Sequence, residues 1–333
     1  MKFGLFGGAT AGRNTSTDDS DGFQKVVDFI VEADAVGLHG LFCVEHHFTG
    51  FGQVSATMNL LTYLAAKTKD IRLGPGVMVL PWHNPILLAE QAATVDVLSN
   101  GRLDFGVGKG YRYNEFQHFN VKLEDAQPMF EESVALIKRA WTSDERWSYH
   151  SARWNFTDIV VEPAPVQKPH PPLWLAAGRP ESLRAAAQGG YNLLLDQFAT
   201  FDVIGQRLAI YRDEVVKQGR EFDPMSVGVA RAILLVRNAK ERAEAVENRA
   251  KGLARMNAFG RSPDGAYVSS MTSDADLVRA TEEGALIGEP DEIIERIHGL
   301  KNAGVGYILL VGMGTRIPVL HAFAREILPA VAA

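Results

Sequence analysis

Along the chain, short continuous apolar runs alternate with longer segments whose apolar residues recur every three or four positions. "KFGLFGG" precedes a polar stretch and then a segment with Phe23, Val26, Val27, Ile30 and Val31 on one helical stripe, ended by Gly37. "GLFCVE" predicts a second strand, and "ATMNLLTYLAAKTK" is helical by composition and spacing. "IRLGPGVMVLP" and "NPILLAEQAATVDVLSNG" make the third pair, closed by Asn100 and Gly101, residue types that end helices. "GRLDFGVGKG" and "QPMFEESVALIKRAW" make the fourth, across a loop from about Tyr111 to Asp125. The stretch "ERWSYHSARWNFTDIVVEPAPVQKPHPP" breaks the pattern and predicts a small hairpin with a proline-rich return. The alternation then resumes with "LWLAAG", "YNLLLD" and "SVGVARAILLV", each followed by a helix, and an eighth unit pairs "GVGYILLVGM" with "PVLHAFAREILPA".

Eight strands that are mostly continuous apolar runs require a parallel sheet covered on its outside. The closed (β/α)8 TIM barrel, with insertions, fits the count, and an open doubly wound sheet is the alternative. The chain reads as a single domain over 1–333. From about Met256 to Gly288 no strand is predicted; the polar, Gly- and Ser-bearing first half of this insertion reads as a mobile lid or as a solvated surface insertion. In a barrel, the active site lies among the loops that follow the strands.

Composition narrows the partners. With 34 basic and 40 acidic residues the net charge is −6, which excludes a broad electropositive face for nucleic acid or an anionic bilayer. No run approaches the ~20 apolar residues that span a membrane, and the first residues are too short and weakly apolar for a signal segment, so a cytoplasmic protein is expected. The single cysteine, Cys43, forms no internal disulfide and reads as a buried small hydrophobe.

Four motifs carry candidate chemistry. "GGATAGRNT" approaches a phosphate loop, but Arg13 and Asn14 stand where Lys and Ser or Thr belong, and polar residues separate it from the next helix. In "EHHFTG", His46 and His47 are adjacent and point to opposite sides of an extended backbone, and no H-x-H or H-E-x-x-H pair exists to complete a metal site. No metal is expected. A histidine there, at a strand's C-terminal end, suits proton exchange near neutral pH, against a purely structural hydrogen-bonded one. Lys109 closes the fourth strand, and Gly178 and Arg179 end the fifth just before a helix with Pro180 at its first position. Two cations and a helix N-terminus on neighbouring strands suit a phosphate, against the alternative of solvated surface charges. Finally, two glycines and a proline interrupt the third strand, consistent either with a planar ring pressed on Gly76 and Val77 or with a bulge.

Three blocks, "EHHFTGFG" at 45–52, "LPWHNPILLAEQAATVDVLSNGRLDFGVGKGY" at 80–111 and "GEPDEIIERI" at 288–297, resemble the bacterial-luciferase-like flavin-dependent monooxygenases. The resemblance implies a (β/α)8 barrel and reduced FMN delivered by a separate NAD(P)H-dependent reductase. It also implies insertion of one oxygen atom of O2 into a small organic substrate through a flavin hydroperoxide. Carried over by position, His46 is the catalytic histidine, Lys109 and Tyr111 are cofactor contacts, and Gly178 with Arg179 is the phosphate-binding turn. Gly76 and Val77 fall on a pair that often forms a non-proline cis peptide against the flavin ring. Arg231, in "GVARAILLV", falls on an arginine that pairs with an anionic substrate in related sulfonate monooxygenases, against the alternative of an arginine that snorkels outward to water. Gly108 stands where luciferase has a reactive cysteine, Asn84 replaces a histidine, and Arg179 sits where a small hydroxyl residue is common, so neither a long-chain aldehyde nor light is implied. A homodimer is expected through the helices near the second and third strands. The alternatives are a deazaflavin- or flavin-dependent dehydrogenase or reductase of the same superfamily, and a non-catalytic flavin-binding homologue. A metal-dependent barrel hydrolase is more distant.

Overall fold

The runs that are apolar on both faces form parallel strands, and the periodic segments between them form helices. The computed structural model describes residues 1–8, 19–50, 54–258, 261–262, 264–265 and 281–332. In chain order, β1 (Lys2–Gly7), α1 (Asp19–Ala35), β2 (Gly40–Cys43), α2 (Thr57–Lys67), β3 (Arg72–Pro75), β4 (Met78–Val79) and α3 (Pro85–Leu98) build the first part. Next come β5 (Phe105–Gly108), α4 (Tyr113–His118), α5 (Ala126–Thr142), the hairpin β6 (Trp147–His150) and β7 (Asn155–Ile159), β8 (Leu173–Ala176), α6 (Pro180–Gln188) and β9 (Asn192–Leu195). The last part holds α7 (Phe201–Lys217), β10 (Val227–Leu235), α8 (Ala239–Ala258), β11 (Leu286–Gly288), α9 (Pro290–Asn302), β12 (Tyr307–Val311), α10 (Ile317–Glu326) and α11 (Leu328–Val331).

The main sheet runs β3-β2-β1-β12-β10-β9-β8-β5-β4, all parallel. Strands β3 and β4 are one interrupted stave: β3 pairs with β2, β4 pairs with β5, and a bridge from Leu73 to Leu103 ties β3 to the chain before β5. Eight staves therefore surround one lumen, and the (β/α)8 TIM barrel expected from the sequence stands. Arg72 clamps the seam near its N-terminal end, donating to both carboxylate oxygens of Asp104 at 2.8 Å.

Inside the lumen, Phe42, Trp174, Leu194, Ala230, Tyr307 and Leu309 pack together, with Phe6 and Val77 against them. Outside it, a larger layer between strands and helices includes Phe105, Leu183, Leu193, Val229 and Ile297. Truncating one such buried side chain to Ala costs about 2–5 kcal/mol.

Local sequence sets the helix ends. Asn84 accepts from the N–H groups of Ile86 (3.0 Å) and Leu87 (3.2 Å) and so caps α3, with Pro85 at its first position. That cap gives the departure at Asn84 a structural role. Asn100 and Gly101, at φ 56° and 77°, reverse the chain after α3.

Two expectations need correction. The loop from Tyr111 to Asp125 contains the six-residue helix α4, and the insertion that ended at Gly288 contains a strand, since β11 pairs with the end of β10 (Ile233 with Leu286). The proposed lid at about 256–288 otherwise falls mostly outside the described residues. Among the described residues, no helix is long and apolar enough to cross a membrane.

Candidate active site

Because every stave runs the same way, the chain leaving β2, β4, β5, β8 and β9 emerges on one rim. The residues after β2 are ordered by helix α4. Phe116 (2% exposed) packs edge-on against Trp82 at 4.8 Å, and Phe119 stacks on Trp82 at 5.0 Å and meets the His47 ring at 4.8 Å. These aromatic contacts hold α4 against the β2 loop and set Glu115 beneath it.

The adjacent histidines diverge, as extended backbone requires, and each takes its own carboxylate. His46 Nδ1 lies 3.1 Å from Glu115 Oε1, and the same oxygen accepts the His47 backbone N–H at 2.9 Å. His47 Nε2 and His83 Nε2 lie 3.1 and 2.6 Å from Glu45 Oε1, while Glu45 Oε2 accepts the Val79 N–H at 2.6 Å. Burial would raise the pKa of Glu45, but hydrogen bonds from His47, His83 and Val79 N–H outweigh it and hold the carboxyl below its ordinary range. Burial lowers the pKa of His46; Glu115 opposes this, Arg112 adds to it, and the net shift is downward. At neutral pH the imidazole is therefore the unprotonated, proton-accepting form. The Tyr111 ring stands edge-on to His46 at 6.1 Å, with its hydroxyl accepting from Arg112 Nε at 3.3 Å.

Between β3 and β4 the Gly76–Val77 peptide is cis, and Gly76 N–H donates to Cys43 O at 2.6 Å. Val77 covers the neighbouring strand end: a Cβ added at Gly108 would stand 2.6 Å from Val77 Cγ2. A cysteine at position 108 would displace that side chain. Cys43 itself is buried, and burial pushes its thiol up to about 12, so it is no nucleophile.

Strands β5 and β8 are neighbours (Val107 opposite Leu175), so Lys109 and Gly178 leave adjoining strand ends. Lys109 is exposed and has no ion pair or hydrogen bond among the described residues. Arg179, also exposed, precedes α6, where the Ser182 hydroxyl accepts the Arg179 N–H at 3.2 Å and donates to its carbonyl at 2.9 Å. Gly178 lies under Arg207, whose guanidinium carbon is 3.2 Å from the Cβ position and whose Nη1 pairs with Asp196 at 2.6 Å. A third cation thus joins the two read from sequence.

Arg231 is placed differently. It is fully buried, and its Nη1 donates to Asp196 O at 2.9 Å and Ala230 O at 2.7 Å. Ala230 beside it packs into the lumen, while Val229 and Ile233, on Arg231's own face of the strand, belong to the outer layer. Its guanidinium sits 5.8 Å from the Phe201 ring at the start of α7. Burial, opposed by Asp196 and reinforced by Arg207 and Arg249, lowers its pKa to about 10, and Nε and Nη2 have no partner among the described residues. The contacts of Arg231 are thus with Asp196, Ala230 and Phe201.

Glu115, His83 and Arg207 carry no mark in the sequence, each being tied to the site by a contact distant along the chain. Among the described residues, no group of three or more His, Cys, Asp or Glu could hold a metal ion. A groove of about 540 Å³ lined by Thr200, Phe201, Glu283, Glu292 and Arg296 lies between α7 and α9 and is lined by none of His46, Lys109, Gly178 and Arg179.

The family model for luciferase-like monooxygenase matches residues 1–306. The chain belongs to the luciferase-like monooxygenase family, whose members are flavin-dependent oxidoreductases. Over 173 residues it is 34% identical to the oxygenase component of the flavin-dependent trigonelline monooxygenase of Acinetobacter baylyi. That match covers 51% of this chain and 48% of the relative, so it spans about half of that protein's length. The FMNH2-dependent dimethylsulfone monooxygenase of Pseudomonas putida is 29% identical over 284 residues, 80% of this chain and 76% of that one. The crystal structure of the monooxygenase RslO1 from Streptomyces bottropensis superposes with a TM-score of 0.83 at 26% identity, covering 99% of both chains. An F420-dependent glucose-6-phosphate dehydrogenase of Amycolatopsis mediterranei also matches, 25% identical over 92% of this chain and 94% of its own.

Proposed function

We propose that this protein is the oxygenase of a two-component system, taking reduced FMN from a separate NAD(P)H-dependent reductase and adding one oxygen atom of O2 to a small organic substrate. The observation that carries the reading is the adjacency of β5 and β8, by which Lys109, exposed and with no ion pair or hydrogen bond among the described residues, and Gly178, just before α6, leave adjoining strand ends on the rim that also holds His46.

That rim fits the cofactor's chemistry. The cation of Lys109, the first turn of α6 and Arg207 match a phosphate dianion, each charge-assisted hydrogen bond contributing about 1.5–3 kcal/mol. Gly76, Val77 and Tyr111 would line the ring, and Arg179 would add charge from solvent. Bound reduced FMN would supply the electrons that activate O2. The chain's own work is to hold the phosphate, to keep water from the apolar lumen mouth beside Phe6 and Val77, and to accept a proton at His46. Arg231 has two buried donors with no partner among the described residues, which suit an anionic substrate group, but its place in the layer beneath α7 assigns it no step. The apolar side chains exposed on α2 and α3, Tyr63, Leu87 and Leu98, support a homodimer.

Anaerobic reduction of FMN followed by oxygen, with oxygen incorporation read by mass from 18O2, tests the reading. Label in the product of a sulfur, nitrogen or carbonyl substrate supports it. Turnover with reduced or oxidised F420 and none with FMN supports the deazaflavin alternative, which the match to F420-dependent dehydrogenases favours.

A further inference from the structure

We infer that Glu115 is a positioning residue for His46, fixing the neutral imidazole with its proton on Nδ1 and leaving Nε2 as the atom that accepts a proton. The inference rests on the assignment of His46 as the proton-transfer group and adds which nitrogen does the work and what sets it.

At neutral pH a carboxylate only accepts hydrogen bonds, so the ring nitrogen 3.1 Å from Glu115 Oε1 must be the donor. The same oxygen accepts the His47 N–H, which aims the carboxylate from two directions, and Glu115 is 1% exposed, so water does not compete for it. Its position is fixed in turn by Phe116 on the same helix, packed against Trp82. His46 Nε2 has no hydrogen bond among the described residues and is absent from their fully enclosed, unpartnered polar atoms, so it is the nitrogen open to a ligand. A neutral histidine with an oriented Nδ1–H and a free Nε2 lone pair is the arrangement a general base needs.

The charged groups around the ring act in opposite directions. Glu115, on α4, and Glu45, at the start of the same loop, favour the imidazolium; Arg112, at the N-terminus of α4, disfavours it, and the Tyr111 ring meets it in a T-shaped contact at 6.1 Å. Glu115 alone among them bonds the ring. A purely structural Glu115, stapling α4 to the β2 loop through the His47 N–H, would leave the tautomer and the titration of His46 indifferent to its charge.

Long-range 1H–15N spectra of 15N-histidine-labelled protein without cofactor, with His46 assigned by its loss in His46→Gln, read both quantities. The expected wild-type signal is a neutral ring protonated at Nδ1. In Glu115→Gln, which keeps the shape, the His46 titration midpoint moves to lower pH and the tautomer becomes mixed. Glu115→Asp restores part of the shift. In turnover, Glu115→Gln lowers kcat on the order of ten- to a hundred-fold with little change in KM, as the loss of an orienting partner does elsewhere. A wild-type proton on Nε2, or an unchanged midpoint and tautomer in a folded Glu115→Gln protein, overturns the inference. These spectra need neither flavin nor substrate, so their failure is separate from that of the base assignment, which the kinetics of His46→Gln decide.

Discussion

The guanidinium of Arg207 lies across Gly178, its carbon 3.2 Å from where a Cβ on that glycine would stand. The contact crosses from α7 to the turn before α6 and is held by the Arg207–Asp196 ion pair at 2.6 Å. In Gly178→Ala the arginine must move by a few tenths of an ångström. Because it is the end of a flexible side chain, the expected loss of stability is about 1 kcal/mol, the low end for overpacking, read by urea unfolding. FMN affinity falls while riboflavin affinity holds.

Lys109→Gln removes the ammonium that has no partner among the described residues. With 1.5–3 kcal/mol for a charge-assisted bond, FMN binding should weaken on the order of ten- to a hundred-fold. Stability should change by less than about 0.5 kcal/mol, because the side chain is exposed. Fluorescence titration measures the first and thermal unfolding the second.

His46→Gln keeps a hydrogen-bonding side chain of similar reach but removes the basic nitrogen. Turnover is expected to fall about 10²- to 10⁴-fold, the range for a general acid or base, with FMN affinity within about threefold of wild type. Stopped-flow turnover and equilibrium binding on the same preparation separate the two.

The buried carboxylate of Glu45 makes stability depend on acid. Its pKa is lowered from 4.5 in the folded state, so the folded protein binds its proton less readily than the unfolded chain does. Its contribution is fully present above 4.5 and is lost as pH falls through the lower folded value. His46, lowered from 6.5, acts in the same sense at higher pH, its contribution being complete above 6.5 and lost below. Urea unfolding of wild type and Glu45→Gln should differ most near pH 7 and converge toward about pH 3.

The staves were legible because strands covered on both faces need uninterrupted apolar runs, as in "YNLLLD" and "GVGYILLVGM". The cap at Asn84 and the stop at Asn100–Gly101 follow from side-chain and backbone chemistry that acts within a few residues. Helix α4 was not legible, since six residues held by Trp82 and the β2 loop carry no stripe of their own. Glu115 went with it. Arg231 was singled out, but the face it takes was not legible: seven successive residues of β10, Val227 to Ile233, are buried, so no polar alternation marks which face is the lumen. Its neighbour Ala230 supplies that information only in three dimensions. Arg207 reaches Gly178 from another helix, a contact no local pattern encodes.

Anaerobic fluorescence titration of the wild-type protein with FMN, riboflavin and F420, each oxidised and reduced, decides whether one rim of the barrel holds a phosphorylated flavin through Lys109 and the Gly178 turn. Reduced FMN is expected to bind in the micromolar range or tighter, roughly a hundredfold or more ahead of riboflavin for two charge-assisted bonds. Binding of F420 alone, or equal affinity for FMN and riboflavin, contradicts it.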